Sequence, residues 1–258
     1  MIWITSFLCD ESQSFSTFAI TKKVANTIKM KQLEKTNCEA CRFKSCAAEV
    51  LDSNELQIMA QNCSGVVFKR HERIFREGRP HSGIAYVKSG LVKLHKTGPS
   101  HEQILKIIRP PQYIGIPTVL AGKVNQYSVT ALETTHICFI SSDTFRRLIL
   151  LNGRFGNEII NTLCQDELEY FHRSINQAQK QIHGRVAGAL LFLAEHIFDN
   201  DTFNMPLNRT DLGDFVHARR ESVTRTLINF RNDNLIAVSG HTITITDKEK
   251  LRTISKLG

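Results

Sequence analysis

The sequence predicts an α+β chain in three parts: an all-β unit, one long helix, and a C-terminal helix-turn-helix closed by a hairpin. Three patterns carry that prediction. Between residues 65 and 142, short apolar runs alternate with Gly, Pro and charged residues, the signature of strands separated by turns. From Cys164 to Ile182, apolar residues recur in steps of four and three, which is a coiled-coil seam. Beyond Asn208, two helical periods are followed by a period-2 run of β-branched residues, as in two packed helices leading into two paired strands.

The strands of the all-β unit are Ile84-Ala85-Tyr86-Val87, Leu91-Val92-Lys93-Leu94, residues 104–108, 127–132 and 136–140. The long helix covers about residues 155–182. Its seam is Cys164, Leu168, Phe171, Ile175, Ala178 and Ile182. Such a stripe could pack on the all-β unit, yet Gln177, Gln179, Lys180 and Gln181 beside Ala178 leave it narrow, which suits a partner helix and predicts a parallel homodimer.

The next two helices are read from Leu212, Phe215 and Val216, then Val223, Leu227 and Phe230, whose spacing lets one face of each pack against the other. That packing leaves Arg220, Glu221, Thr224 and Arg225 on the open edge. Arginine can give two parallel donors to guanine, glutamate can accept from cytosine, and threonine can bond a base edge or touch a thymine methyl. The edge therefore reads as a DNA-recognition helix. The competing view is a solvated surface carrying a Glu221–Arg225 pair one turn apart. The residues after Asn234 favour the first: Leu235-Ile236-Ala237-Val238 turns at Ser239-Gly240-His241 and returns as Thr242-Ile243-Thr244-Ile245-Thr246, a hairpin placed as a wing.

Composition fits a globular chain without specifying its task. The 258 residues are 41% hydrophobic and 22% charged, and no apolar run approaches the roughly 18–20 residues of a membrane span. With no basic lead before the apolar residues 1–8, export is not expected and a cytoplasmic location without membrane association is. The net charge of +8 is weak support for a nucleic-acid partner. Residues 184–258 hold ten Lys/Arg against nine Asp/Glu, whereas residues 30–150 hold seventeen against ten. The case for DNA rests on placed residues such as Arg209, Arg219, Arg220 and Arg225. Residues 1–29 are Ser/Thr-rich and patternless, either a disordered arm or sequence ahead of a start at Met30. The chain then divides into 30–150, a linking helix at 151–183, and 184–258. No phosphate-binding glycine loop, His-Glu-x-x-His motif or Gly-x-Ser-x-Gly elbow is present, so no enzyme is expected.

Seven cysteines in a chain of this size point to thiols or metal ligands rather than a disulfide scaffold. Cys38, Cys41 and Cys46 lie within nine residues and can converge on one centre, where soft thiolates select zinc or an iron-sulfur cluster. A closed site needs a fourth ligand. Cys63 could complete a structural zinc knot; Cys138, inside an apolar strand, reads by itself as a core residue. A thiol redox switch is also open, because Lys44 and Arg42 lie close in sequence. Cys9 and Cys164 read as bystanders.

Taken together these features resemble the Crp/Fnr superfamily of bacterial transcription regulators. Asn208-Arg209-Thr210-Asp211-Leu212-Gly213 matches the opening of that family's helix-turn-helix except at its first residue. The resemblance implies that Arg209 holds a phosphate and that Arg220, Glu221 and Arg225 face bases, with Thr224 at a position where the Fnr branch has serine. Two positions depart from the pattern: His217 replaces the turn glycine, and Arg219 stands where a serine N-cap is expected. The glycines at 78, 90 and 115 and the run Tyr86-Val87-Lys88-Ser89-Gly90 resemble the double-stranded β-helix, or β-roll, that binds cyclic nucleotides. Its phosphate cassette is missing. Gly115-Ile116 stands for Gly-Glu, Gln126-Tyr127-Ser128 lacks the clamping arginine, and Pro110-Pro111-Gln112 replaces Pro-Gly-Asp. Cyclic AMP is therefore not expected.

The segment Ala131-Leu132-Glu133-Thr134-Thr135-His136-Ile137-Cys138 resembles the Fnr segment whose cysteine completes a [4Fe-4S] cluster. The resemblance thus implies metal ligands Cys38, Cys41, Cys46 and Cys138, and a regulator that senses oxygen, nitric oxide or redox state. The spacing from Cys41 to Cys46 is one residue shorter than in that branch. The alternative within the same family is a sensor of haem or another small ligand in the roll, its cysteines structural or thiol-redox. Double-stranded DNA with a palindromic operator, a second copy of the chain and RNA polymerase are the partners the resemblance implies.

Overall fold

The computed structural model describes residues 34–35, 37–81, 83–122 and 124–258. The expectations placed on residues 1–29, on Met30 as a start and on Cys9 lie outside these. The chain enters through a short strand, β1 (Glu34–Lys35), then a turn carrying Cys38 and Cys41, then two helices, α1 (Cys46–Glu49) and α2 (Ser53–Gln61). A capping box starts α2: the Asp52 carboxylate accepts the Glu55 N–H at 2.8 Å, and the Glu55 carboxylate accepts the Asp52 N–H at 3.0 Å.

The all-β unit follows as β2 (Cys63–Phe68), β3 (Arg73–Phe75), β4 (Ile84–Ser89), β5 (Val92–Thr97), β6 (Glu102–Ile108), β7 (Gln112–Ile114), a helix α3 (Ile116–Ala121), β8 (Ser128–Ala131) and β9 (Thr135–Ile140). Two antiparallel sheets result, ordered β1-β2-β9-β4-β7 and β3-β8-β5-β6. Their chain order, with neighbours far apart in sequence, is that of a roll. Ile84 to Val87 are buried without alternation, because β4 is covered by the opposite sheet on one face and by helices on the other.

Helix α4 (Ser142–Leu151) leads directly into α5 (Gly153–Gln179). The seam ends earlier than expected: Lys180 is extended (φ −85°, ψ 144°), and Ile182 opens a separate helix, α6 (Ile182–Phe192). The polar run at 176–181 gives α5 no apolar anchor there. Beyond it, α6 is drawn against the C-terminal helix, so closely that a Cβ on Gly184 would lie 2.2 Å from the Gly258 carbonyl oxygen. Ile182 accordingly packs into the C-terminal core rather than extending the seam.

A π-helical turn (Leu193–Phe198) and β10 (Thr202–Asn204) precede the helix pair α7 (Arg209–Val216) and α8 (Arg220–Asn232), the hairpin β11 (Ile236–Ser239) and β12 (Thr242–Ile245), and α9 (Lys248–Leu257). Register pairs Ser239 with Thr242, leaving Gly240-His241 as a two-residue turn. Two apolar clusters fill the interior. One joins the roll to α1, α2, α4 and the start of α5 through Leu56, Met59, Tyr86, Tyr113, Phe145 and Phe155. The other runs from Leu91, Ile104 and Ile107 of the roll into Leu190, Leu212, Val223 and Phe230. Among the described residues no helix is long and apolar enough to cross a membrane.

Candidate nucleic-acid interface and thiol cavity

Helix α7 begins at a capping box in which Asn208 accepts the Asp211 N–H at 2.8 Å and Asp211 accepts the Asn208 N–H. It stops at His217, whose left-handed conformation (φ 53°, ψ 51°) makes the turn that glycine would otherwise make. The two helices meet closely: a Cβ on Gly213 would fall 2.5 Å from the Ala218 carbonyl oxygen. Val223, Leu227 and Phe230 are buried on the inner face of α8. Arg219, Arg220, Glu221 and Arg225 are exposed on the outer edge, and Arg209 is half-buried at the first turn of α7.

Arg219 makes no side-chain bond at the start of α8. The first N–H groups of that helix therefore remain open to an external anion such as a phosphate. The Thr224 hydroxyl donates to the Arg220 carbonyl at 2.8 Å, so its proton belongs to the helix, and its methyl and lone pairs are what it can offer a base. Among the described residues, neither Glu221 nor Arg225 forms an ion pair.

The roll grips α7 through a polar joint that sequence reasoning missed. Lys93 of β5 places Nζ 2.6 Å from the Asp211 carboxylate and 3.2 Å from that of Glu102. Burial works against the Lys93 charge, but the Asp211 bond and both carboxylates outweigh it and raise its pKa. His95 sits 2.8 Å from Glu102 through Nδ1 and 2.8 Å from the Thr130 hydroxyl through Nε2. Burial lowers the His95 pKa against the opposing pull of Glu102. The Gln103 amide donates to the Asp214 carbonyl. Lys93 carries no sequence signal, since in an apolar strand it resembles any outward-facing lysine.

At the other end of the roll, Cys38, Cys41, Cys63 and Cys138 line a single cavity of about 50 Å³, with Phe43, Lys44, Tyr86, Lys88 and Tyr113 among its walls. The sheet register accounts for three of them. Cys63 pairs with Ile140, and Cys138 pairs with Gly65 on one side and Tyr86 on the other. Residues directly opposed across strands share a face, and so do residues two apart along one strand. Cys63, Cys138 and Tyr86 therefore project together. Cys38 and Cys41 arrive from the entering turn. Cys46 does not line the cavity and is exposed at the start of α1. Cys164 is exposed on α5.

The tyrosines are held firmly. Tyr86 donates its hydroxyl proton to the Phe43 carbonyl, and Ser45 donates to the Tyr113 hydroxyl at 3.0 Å. Burial pushes both phenols well above their ordinary pKa. Ring packing then runs from Tyr86 to Tyr113 (4.8 Å), Phe145 (5.6 Å) and Phe155 (5.5 Å) at the head of α5. Asn152 adds a polar link, capping α5 at Phe155 while donating to Glu55 of α2 at 2.8 Å.

The positions of the absent phosphate cassette are bonded to each other and to the rest of the roll. The Tyr127 hydroxyl accepts the Gly115 N–H at 3.1 Å, and the Ser128 hydroxyl accepts the Glu77 N–H at 3.1 Å. Burial pushes the Tyr127 phenol up to about 12.

Comparison with known proteins agrees with this architecture. A cyclic nucleotide-binding domain model matches residues 65–152, and a Crp-like helix-turn-helix domain model matches residues 184–254. The transcriptional activator protein Anr of Pseudomonas aeruginosa is 24% identical over 88% of this chain and 96% of its own. A CRP-like cAMP-activated global transcriptional regulator of Mycobacterium tuberculosis is 22% identical over 78% of this chain and 92% of its own. The solved structure of FixK2 from Bradyrhizobium japonicum superposes with a TM-score of 0.68 at 18% identity, covering 74% of this chain and 96% of that one. With the roll, the long helix and the winged helix-turn-helix all in place, the chain belongs to the Crp/Fnr family of transcription regulators.

Proposed function

We propose that this regulator binds a palindromic duplex operator as a homodimer, and that a thiolate-held iron-sulfur centre beside the roll sets its DNA affinity in response to oxygen, nitric oxide or redox state. The observation that carries the DNA half is the two-sided helix α8, buried through Val223, Leu227 and Phe230 and open along Arg220, Glu221 and Arg225. The dimer half is supported by Ile160, Leu168, Phe171 and Ile175, each 50–59% exposed on α5. Large apolar side chains uncovered along one stripe favour a second helix.

The sensing half is supported by the cavity. Three of the thiols that the Fnr resemblance selects line it, and soft sulfur donors suit iron or zinc. Lys44 and Lys88 line it too, and their charge offsets the net negative charge of a thiolate-ligated centre. Among the described residues no three potential ligands already stand at metal-binding distance, so loading draws the thiols inward. When bound, such a centre supplies an oxygen-labile crosslink between the entering turn and the roll. Tightening that turn bears on Tyr86 through Phe43, and from there the packed rings and Asn152 reach the head of α5. In this reading cyclic AMP is not the effector, because the clamping arginine of the cassette is missing from Gln126-Tyr127-Ser128 and the Tyr127 and Ser128 hydroxyls are already bonded within the roll.

The test is the protein purified without air. A broad visible absorbance with stoichiometric iron and acid-labile sulfide, bleaching on exposure to air, is expected. A colourless, iron-free protein would remove the sensing half and leave the DNA half standing.

A further inference from the structure

The resemblance to Fnr selects Cys46 as one of four ligands, yet Cys46 and Cys63 are placed the other way round from that expectation. Cys63 is 9% exposed and lines the thiol cavity; Cys46 is exposed and does not. We propose that Cys63 is the fourth donor, so that Cys38, Cys41, Cys63 and Cys138 hold the metal and Cys46 stays outside. The inference rests on the proposed metal-binding function and changes its ligand set.

Local structure keeps Cys46 out. Its neighbour Ser45 is buried, donates to the Tyr113 hydroxyl at 3.0 Å and accepts the Ala48 N–H at 3.1 Å as the N-cap of α1. Ala47 and Ala48 pack inward at 4% and 6% exposure. With those three side chains facing the core, Cys46 faces solvent. Turning its sulfur inward would break both Ser45 bonds and expose the two alanines.

Cys63 needs no such rearrangement. It sits on β2 diagonally across from Cys138 on β9, on the same face of the same sheet. Two donors are thus fixed by strand hydrogen bonds. The other two ride on a turn held by the Cys41 N–H to the Cys38 carbonyl at 3.4 Å, the Ala40 N–H to Asn37 at 3.1 Å, the Ser53 hydroxyl to the Glu39 carboxylate at 3.0 Å, and the Tyr86 hydroxyl to the Phe43 carbonyl. Strand pairing on both sides fixes Cys138 more firmly than the turn fixes Cys38 and Cys41, so closure consists of Cys38 and Cys41 approaching Cys63 and Cys138, each thiol releasing its proton to solvent as it coordinates. A volume of about 50 Å³ holds a single zinc or ferrous ion. A four-iron cluster, with eight core atoms, is the larger alternative. Both are thiophilic centres on the same four sulfurs.

The experiment uses the full chain, purified without air and loaded either with ferrous iron and sulfide or with zinc alone. Metal and sulfide are measured in the unsubstituted protein, Cys46→Ser, Cys63→Ser and Cys63→Ala, with circular dichroism to report folding. The expected result is unchanged metal content in Cys46→Ser and loss of most of the metal from both Cys63 variants. Iodoacetamide should modify Cys46 in the loaded, unsubstituted protein. Metal loss in Cys46→Ser, protection of Cys46 from alkylation, or retention of metal by a Cys63 variant each overturns the proposal. If the Cys63 variants do not fold, Cys46→Ser and the alkylation map still decide it. An unsubstituted protein that takes neither metal would sink the sensing reading itself, an outcome distinct from a loaded protein with the wrong ligands. Sulfide in the iron-loaded sample separates a cluster from a single ion.

Discussion

Helix α8 and the thiol cavity differ in how finished they are. The outer edge of α8 stands in solvent on a helix whose other face is buried, so the side chains proposed to read DNA are already presented. The cavity has thiols on a hydrogen-bonded sheet and on the entering turn, and under the proposed function its sulfurs must still come together. A preformed output and an adjustable input suit a switch, provided something between them has two arrangements. Two connections are candidates for that role. The ring series Tyr86, Tyr113, Phe145 and Phe155 joins the cavity to the head of α5, and the Lys93–Asp211 pair joins the roll to α7.

Breaking the first connection should have the largest effect. Phe155 is fully buried where α5 meets the roll, and Phe155→Ala should cost about 3–5 kcal/mol. Denaturant unfolding checks this; a loss below ~1 kcal/mol would mean that the ring is not packed between α5 and the roll. Lys93→Met leaves the Asp211 charge buried without its partner and should cost about 3 kcal/mol. Adding Asp211→Asn should restore part of that loss, whereas additive losses would show that the pair is not coupled.

Acidification probes the same joint. Burial depresses the His95 pKa below its unfolded value, so its contribution is complete above the ordinary histidine range near 6.5. It is lost as pH falls below that value toward the lower folded pKa. Melting temperature should therefore fall on acidification through pH 6, and His95→Gln should flatten the slope. An unchanged slope would place the titration at His81 or His217, both also depressed by burial.

On the DNA side, Arg225→Ala should cost on the order of 1–3 kcal/mol at a cognate site and relax sequence preference. Unaltered preference would mean another edge faces the bases. The smallest effect should come from Arg219→Ser. It supplies the N-cap that α8 lacks and should add about 1 kcal/mol of stability. It should also lower the salt dependence of DNA binding by about one counterion.

These two regions were not equally open to a reading of the sequence. The helix pair, the wing and its turn obey local periods, so Val223, Leu227 and Phe230 and the exposed edge between them could be placed from spacing alone. The turn at His217 was expected from the family pattern, histidine standing here in place of glycine. The seam was legible as far as Ala178; its end was not, because the helix beyond Lys180 packs through Gly184 against Gly258, a contact between residues far apart in sequence. Lys93, and the place of Cys63 beside Cys138, were hidden for a related reason, Cys63 being offered by the sequence only as the fourth ligand of a zinc knot. Cys63 joins Cys138 only through the β2–β9 register, and Lys93 meets Asp211 across 118 residues. No period in the sequence encodes either contact.

The central claim is that the thiol cavity governs the reading edge. Its most direct test is the affinity of the full chain for a duplex selected from a random pool, measured by fluorescence anisotropy on metal-loaded and metal-stripped protein at one salt concentration. The loaded form should bind at least about fivefold tighter, the lower end of ordinary allosteric coupling. Equal affinities in the two states would contradict the account, leaving a DNA-binding protein whose cysteines carry no signal to it.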